Sequence, residues 1–267
     1  TKTMEEIFKN LNEKQIEAVK VIDGPVLVIS GPGSGKTRCL THRVAYLISQ
    51  GIRPCSILAI TFTNKAAQEM KNRVSHLLNF QFSISNFQTP TIGTFHSVCL
   101  RILRKEIPLL GYKSNFSIFD TNDQLSLVKR VMTNLEIDSK KYNPHLILNK
   151  ISKLKTNLIF PENYNPTEFF TKIVSRVYNG YQAGLKKMNG LDFDDLIVLT
   201  VKMFKQNPDI LEKYQNYWKY ILVDEYQDTS HDQYTLINLL SAKNRNIFAI
   251  GDDAQCFLPG TKIKTEV

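Results

Sequence analysis

The stretch Val26-Leu27-Val28-Ile29-Ser30-Gly31-Pro32-Gly33-Ser34-Gly35-Lys36-Thr37 decides the fold of this 267-residue chain. An apolar, β-branched run leads into a glycine-rich loop, and residues 37–50 then follow the pattern of a helix. A strand, a glycine loop and a helix in this order form the phosphate-binding P-loop, or Walker A motif. The stretch therefore predicts a nucleoside-triphosphate site, although Ser30 replaces the first glycine of the motif.

Each residue type in this loop has a chemical reason. Backbone N–H groups must approach phosphate oxygens closely, and Gly31, Gly33 and Gly35 lack the Cβ that would obstruct them. The positive end of the following helix dipole adds to the attraction. Lys36 can reach the β- and γ-phosphates, and the Thr37 hydroxyl can bind Mg²⁺. The residues expected around the phosphates are Ser30, Gly31, Pro32, Gly33, Ser34, Gly35, Lys36 and Thr37.

A second apolar run, residues 220–224, ends in the carboxylates that such a loop requires. Asp224 suits Mg²⁺ coordination, and Glu225 can polarise a water molecule towards the γ-phosphate. This Asp-Glu pair favours hydrolysis over transfer to an acceptor, because a water-activating glutamate would waste nucleotide in a transferase. The run 247–251 also ends in polar residues, among which Gln255 could sense the γ-phosphate.

The order of the apolar runs predicts the fold class. Helical patterns at residues 37–50 and 66–78 separate the first three runs, and the second pattern places its apolar residues on one face. Strands alternating with helices after a Walker loop are typical of a doubly wound α/β domain with a parallel sheet. The predicted strands are residues 26–30, 57–61, 91–94, 220–224 and 247–251.

Residues 112–195 contain no comparable run and interrupt the alternation. Their helical patterns are broken at Pro144, Pro161 and Pro166, which predicts a helical subdomain inserted into the α/β domain. Part of this insert is basic, and its lysines either form a solvated face or contact duplex DNA. They are Lys140, Lys141, Lys150, Lys153 and Lys155.

Composition limits the class of protein and of partner. The net charge of +9 and the pI near 9.2 favour a polyanionic partner such as nucleic acid. The cysteines show neither metal-ligand spacing nor the density of a disulfide scaffold, so we expect a reducing, cytoplasmic setting. No apolar stretch is long enough to span a bilayer. The abrupt start and end predict a fragment of a longer protein. The four cysteines are Cys39, Cys55, Cys99 and Cys256.

Several segments, in order, resemble motifs of the UvrD/PcrA/Rep family of superfamily 1 DNA helicases. The resemblance extends from residue 11 to residue 255, which is nearly the whole chain. The matching segments are 11–15 (LNEKQ, the Q motif), 30–38 (SGPGSGKTR, motif I), 59–67 (AITFTNKAA, motif Ia), 93–97 (GTFHS, motif Ib), 191–196 (LDFDDL, the return from the inserted subdomain), 224–229 (DEYQDT, motif II) and 251–255 (GDDAQ, the start of motif III).

The resemblance implies an ATP-dependent 3′–5′ DNA helicase in repair or replication, of which this chain is the N-terminal motor half. Its cofactors would be ATP and Mg²⁺, with Gln15 reading the adenine edge and Arg38 belonging to the nucleotide site. Its partners would be single-stranded DNA, a duplex junction and a second RecA-like domain of the same protein. An aromatic side chain just past a strand end can stack on a base. The implied DNA-contacting residues are Phe62, Thr63, Asn64, Thr94, Phe95 and His96.

The same resemblance implies a domain organisation. Residues 1–111 and 194–255 would form a RecA-like motor domain, 1A, and residues 112–193 an inserted helical subdomain, 1B. Two alternatives stay open at this point. The chain can belong to a helicase-nuclease of the RecB or AddA kind, or be a nucleotide-gated DNA-binding module that does not translocate. As a fragment, it is expected to be nearly inactive.

The sequence departs from the family pattern after Gln255. The family continues there with Ser-Ile-Tyr, whereas this chain reads Cys256-Phe257-Leu258-Pro259-Gly260. This resembles the opening block of an intein, which would occupy residues 256–267 and beyond. Cys256 would be the splicing nucleophile, since its thiol can attack the Gln255 carbonyl to form a thioester. The alternative is a single serine-to-cysteine change followed by a divergent tail.

Overall fold

Strands and helices alternate at both ends of the chain, and helices dominate its middle. The computed structural model describes residues 4–31, 33–78, 89–252 and 263–266. The elements are α1 Met4–Phe8, α2 Glu13–Lys20, β1 Val26–Ile29, α3 Lys36–Ser49, β2 Ile57–Thr61, α4 Asn64–Leu78, β3 Thr91–Thr94, α5 Phe95–Glu106, β4 Ser117–Ile118, α6 Thr121–Asn134, α7 Pro144–Thr156, α8 Phe169–Lys187, β5 Gly190–Leu191, α9 Phe193–Gln206, α10 Pro208–Tyr217, β6 Tyr220–Val223, α11 His231–Ser241, β7 Ile247–Gly251 and β8 Ile263–Glu266.

Six of these strands form one sheet in the order β3-β2-β6-β7-β1-β8, and every neighbouring pair is parallel. The five strands predicted from the sequence are all present, within one residue at their ends. The predicted α/β class with a parallel sheet is confirmed. Because all strands run the same way, the carboxyl ends of β1, β6 and β7 meet at one edge. The glycine loop and the Asp-Glu pair follow directly at that edge.

The sheet belongs to the first of two compact units, which comprises residues 1–95, 207–229 and 237–267. Its strands are buried almost throughout, as continuous β-branched runs in a parallel sheet should be. Helices α3 and α4 cover it with apolar faces. The predicted face of α4 is confirmed, since Met70 and Val74 are fully buried and Leu77 and Leu78 pack against the same core.

The second compact unit comprises residues 96–206 and 230–236 and is mainly helical. Helices α6, α7 and α8 enclose its core, in which Val128, Ile147 and Val177 are completely buried. The strands β4 and β5 contribute only two residues each, so the prediction of a helical insert without a comparable strand agrees with the described residues. The limits predicted for subdomain 1B, residues 112 and 193, both lie inside this unit, and that division stays a prediction.

One lysine of the basic stretch is not on the surface. Lys155, on α7, is only 1% exposed and lies between two aspartates. Its assignment to a solvated or DNA-contacting face is therefore wrong. The sequence could not reveal this, because the aspartates lie 37 and 40 residues further along the chain.

Some predicted residues lie outside the part of the chain that the structure describes. They are Pro32 of the loop, Gln255 of motif III and Cys256 with the intein block that follows it. Residues 263–266, beyond that block, form the parallel edge strand β8 beside β1. The intein assignment stays a prediction. No described helix is both long and apolar enough to cross a membrane.

Candidate nucleotide-binding site

The glycine loop turns sharply between β1 and α3. Gly33 and Gly35 have φ values of +76° and +88°, in the left-handed region where a side chain would be strained. The entry of the loop is fixed to the sheet, since the backbone N–H of Ser30 donates to the Gly251 carbonyl at 3.0 Å. The loop conformation therefore requires glycine at two of the three positions at which the motif predicts it.

Lys36, the first residue of α3, lies between two carboxylates at the sheet edge. Its ammonium group forms ion pairs with Asp252, which follows β7, and with Glu225 at 3.5 Å. The Lys36 side chain is only 9% exposed, so these charges interact in a partly desolvated setting. The residue predicted to hold the phosphates thus has anionic oxygens around its ammonium group.

Thr37 and Asp224 lie beside each other as the predicted Mg²⁺ ligands. The Thr37 hydroxyl donates to the Asp224 carboxylate at 3.1 Å. Burial, together with the neighbouring Glu225 charge, raises the pKa of Asp224, so a cation at this position would relieve an unfavourable buried charge. Mg²⁺ commonly takes one or two protein oxygens and completes its shell with phosphate and water. The two residues fit that role.

Glu225 is held in a specific conformation at the end of β6. Its φ of +48° places a non-glycine residue in the left-handed region, which costs roughly 1 kcal/mol or more. The Gln227 amide donates to the Glu225 carboxylate at 2.9 Å and accepts from the Asp252 backbone N–H at 3.1 Å. Gln227 therefore connects the ends of β6 and β7 and orients the carboxylate predicted to activate water.

Gln15 is joined to the loop. Its amide nitrogen donates to the Ser34 carbonyl at 2.8 Å, and its amide oxygen accepts from the Asn12 backbone N–H at 3.0 Å. The Asn12 side chain in turn caps α2 by accepting from the Gln15 N–H. Gln15 thus supports the phosphate loop, and its predicted contact with adenine stays a prediction.

Two cavities of the first unit share part of their walls, and one of them borders the glycine loop. One, of about 450 Å³, is lined by loop residues, Lys36, Glu225 and Asp252. The other, of about 590 Å³, lies between α3 and α4. Arg38 and Arg73 line both, and the Ser34 hydroxyl is buried without a partner among the described residues. The walls of the first cavity carry as many carboxylates as cations, and its cations suit the phosphates of a nucleotide.

The predicted DNA-contacting residues of the first unit follow β2 and β3. Thr63 and Asn64 are exposed, Phe62 is half-buried and Thr94 is buried. Phe95 is only 1% exposed, and its ring packs edge-on against Phe62 with centroids 5.6 Å apart. Contrary to its implied role in DNA contact, Phe95 offers no exposed face on which a base could stack, and its ring instead supports Phe62 from the protein side.

In the second unit, His96 pairs with an aromatic residue that was not predicted. Its imidazole stacks on the Phe193 ring with centroids 3.9 Å apart and an interplanar angle of 22°. The Phe193 side chain is 54% exposed. Burial lowers the pKa of His96 to about 4. The two rings form a flat apolar surface of the kind on which a nucleobase stacks.

Comparison with known proteins identifies the family. Residues 11–257 match the sequence model of the UvrD/REP helicase N-terminal domain. The chain belongs to the UvrD/REP helicase family. It is 47% identical over 255 residues to the ATP-dependent DNA helicase PcrA of Staphylococcus epidermidis, and 46% identical over 255 residues to that of Staphylococcus aureus. These alignments cover 94% of this chain but 34% of each relative, so the chain spans about a third of their length.

Three residues of this UvrD/REP chain were missed as site residues. Asp252 and Gln227 meet Lys36 and Glu225 only because β7 lies between β1 and β6, and sheet order is not encoded in a local pattern. Phe193 did carry a signal, since it is an aromatic residue among three aspartates in LDFDDL. A large apolar side chain among carboxylates is either exposed itself or accompanied by buried charges. Here Phe193 is exposed, and Asp192 and Asp195 are buried.

Replacing His96 with glutamine should reduce the loss of stability in acid. The unfolded chain takes up a proton at the ordinary histidine pKa of 6.5, whereas the folded chain does so only near 4. His96 therefore contributes stability that is complete above pH 6.5 and declines as the pH falls towards 4. Urea unfolding at pH 7 and pH 5 measures the difference, with the exposed His145→Gln as control. Equal losses in the parent and His96→Gln would contradict the buried, neutral imidazole.

Proposed function

We propose that this chain is the N-terminal, ATP-binding motor part of a DNA helicase that moves 3′ to 5′ along single-stranded DNA. The observation that carries the proposal is the meeting of Lys36, the Thr37–Asp224 pair and Glu225 at one sheet edge. Membership of the UvrD/REP family supports it, as does the likeness to relatives named ATP-dependent DNA helicase.

Hydrolysis would use these residues in separate roles. Bound ATP and Mg²⁺ would supply the reacting phosphoanhydride and its charge neutralisation. Lys36 would donate to the β- and γ-phosphate oxygens, and Thr37 with Asp224 would hold the metal. Glu225 would accept a proton from the attacking water. In this structure Lys36 pairs with Glu225. If the Lys36 ammonium moved to the phosphates, the Glu225 carboxylate would be free to act as the base.

Each unit would offer its own nucleic-acid contacts, at the strand ends in the first unit and at the ring pair in the second. Phe62 and Phe193 offer rings for stacking, and Thr63 and Asn64 offer hydrogen bonds to the backbone. Charge supports an anionic partner for the helical unit. It contains 17 Lys and Arg residues against 11 Asp and Glu, a net charge of +6 out of the +9 of the whole chain. A duplex junction is the partner we propose for this basic unit.

A complete helicase requires parts beyond this chain. We propose that a second RecA-like domain of the same protein supplies the arginines that complete the ATP site, which can be worth roughly 10³–10⁵-fold in rate. We further propose that the precursor matures by intein splicing at Cys256. This rests on the residues that follow Gln255.

The test uses protein expressed from the complete reading frame, whose intact mass also reports whether an intein has been removed. Steady ATP turnover should be stimulated by single-stranded DNA. Lys36→Ala should lower turnover on the order of 10²–10³-fold or more, because the phosphates lose their main cationic contact. Lys219→Ala serves as the control. It removes the same charge, but Lys219 precedes β6 and lies at the end of that strand away from Asp224. Full turnover by Lys36→Ala, or no response to DNA, would contradict the proposal.

A further inference from the structure

We propose that Lys155 is a positioning residue for the ring pair His96–Phe193. Together with Asp192 and Asp195 it forms a buried ionic cluster, called here the anchor, which fixes the start of α9 and so the pose of Phe193. The inference rests on the proposed function, because Phe193 matters for DNA only if the ring pair contacts nucleic acid.

The anchor is short-ranged and almost completely shielded from solvent. The Lys155 ammonium donates to Asp192 at 2.6 Å and to Asp195 at 2.8 Å. Lys155 and Asp195 are each 1% exposed and Asp192 is 2% exposed. Tyr181, on α8, donates its hydroxyl hydrogen to Asp192 at 2.9 Å. Three helices, α7, α8 and α9, are therefore joined at one point.

The two aspartates also define where α9 begins. The Asp195 backbone N–H donates to the Asp192 carboxylate at 2.8 Å, and the Asp192 N–H lies 3.3 Å from the Asp195 carboxylate. This reciprocal arrangement is a capping box. Phe193 is the first residue of the helix and lies in sequence between the two carboxylates. Its backbone is thus fixed on both sides by groups that Lys155 holds.

The burial pattern of this segment is the reverse of what hydrophobicity predicts. Asp192 and Asp195 are buried, whereas Phe193 is 54% exposed. Transferring carboxylates out of water is unfavourable, and a well-packed apolar core would be as stable or more so. A segment that buries its charges and exposes its phenyl ring is better explained by the position it gives that ring than by stability.

The electrostatics of the anchor agree with an ion cluster at neutral pH. Burial alone would lower the pKa of Lys155, but Asp192 and Asp195 outweigh it and raise that pKa. Burial and the Asp192 charge raise the pKa of Asp195 to about 6. The ammonium therefore stays charged, and one cation serves two carboxylates.

The first test measures the ring pair directly. A triple variant, K155M/D192N/D195N, removes all three charges while asparagine keeps the capping ability. With ¹³C-labelled histidine, the His96 ring signals of the whole chain should lose most of the ring-current shift that Phe193→Ala also removes. Val174→Ala, a truncation in the core of the same helical unit, should destabilise the protein without changing that shift. An unchanged His96 shift in the triple variant would overturn the proposal.

The second test separates the anchor from the proposed role in DNA binding. Phe193→Ala should weaken oligo(dT) binding roughly 5- to 150-fold, as expected for one lost stacking contact. The triple variant should lose most of the same factor, and adding Phe193→Ala to it should cause little further loss. If the affinity losses of Phe193→Ala and the triple variant multiplied when combined, the anchor would not act by positioning Phe193. If Phe193→Ala binds as tightly as the parent, the nucleic-acid role of Phe193 fails, and the NMR result alone decides the anchor.

Discussion

Replacing Glu225 with glutamine is expected to lower ATP turnover roughly 10²–10⁴-fold while leaving nucleotide affinity equal or slightly higher. The amide keeps the size and the hydrogen bond from Gln227 but cannot accept a proton from water. The Glu225 carboxylate also lies 3.5 Å from the Lys36 ammonium and competes with the phosphates for it. Its neutralisation removes both that competition and a negative charge beside the phosphates, so binding should not suffer.

Turnover and affinity have to be measured separately for this prediction. Protein from the complete reading frame would be assayed for steady ATP hydrolysis with DNA present, and for ATP binding by calorimetry. Glu212→Gln, a matched change in an exposed ion pair with Lys243, should alter neither quantity. If affinity fell as much as turnover, Glu225 would be a binding residue. If neither changed, the base would have to be sought elsewhere, with Asp252 the first candidate.

Much of the nucleotide site could be predicted because its residues lie next to each other in the sequence. The loop follows β1 directly, and Asp224 and Glu225 follow β6 directly. Within each segment, residues that are neighbours in the sequence are therefore also neighbours in the site. Parallel strands then bring the two segments to one edge. The strands could be predicted for a similar reason, since buried β-branched runs bounded by polar residues leave few alternatives.

The errors share a different cause. The burial of Lys155 and of Phe95 depends on which distant segments pack against them, and local sequence gives no sign of that. Lys155 has the same neighbours in sequence as a surface lysine of a basic helix, yet its partners come from α9. Phe95 follows a strand as Phe62 does, but the ring is enclosed. Tertiary packing decided both cases, and residue type alone predicted the opposite.

Lys155→Met should be the most destabilising single substitution considered for the helical unit. It leaves Asp192 and Asp195 buried without a counter-charge, a change that typically costs about 3–5 kcal/mol of unfolding free energy. The triple variant K155M/D192N/D195N should recover most of this loss, because no buried charge remains uncompensated. The single variant is therefore expected to be less stable than the triple, which is the reverse of an additive effect.

Two spectroscopic signals can assign the loss to the correct unit. Trp218, the single tryptophan of the chain, lies in the first unit and donates its indole N–H to the Thr91 hydroxyl at 3.2 Å. Its fluorescence follows the unfolding of that unit, whereas far-ultraviolet circular dichroism includes all helices. In Lys155→Met the circular dichroism transition should shift far more than the fluorescence transition. If the circular dichroism and fluorescence transitions shifted by the same amount, the anchor would stabilise the whole chain and not the helical unit alone.

The pH dependence provides an independent check with a definite sign. Asp195 already has a pKa of about 6, above the ordinary 3.8, and removing the ammonium should raise it further. The folded variant then binds a proton that the unfolded chain does not, so its stability increases as the pH falls towards 4. The difference between Lys155→Met and the triple variant should be largest above pH 6 and shrink in acid. A difference that stayed constant from pH 7 to pH 4 would mean that lost packing, and not uncompensated charge, is the cause.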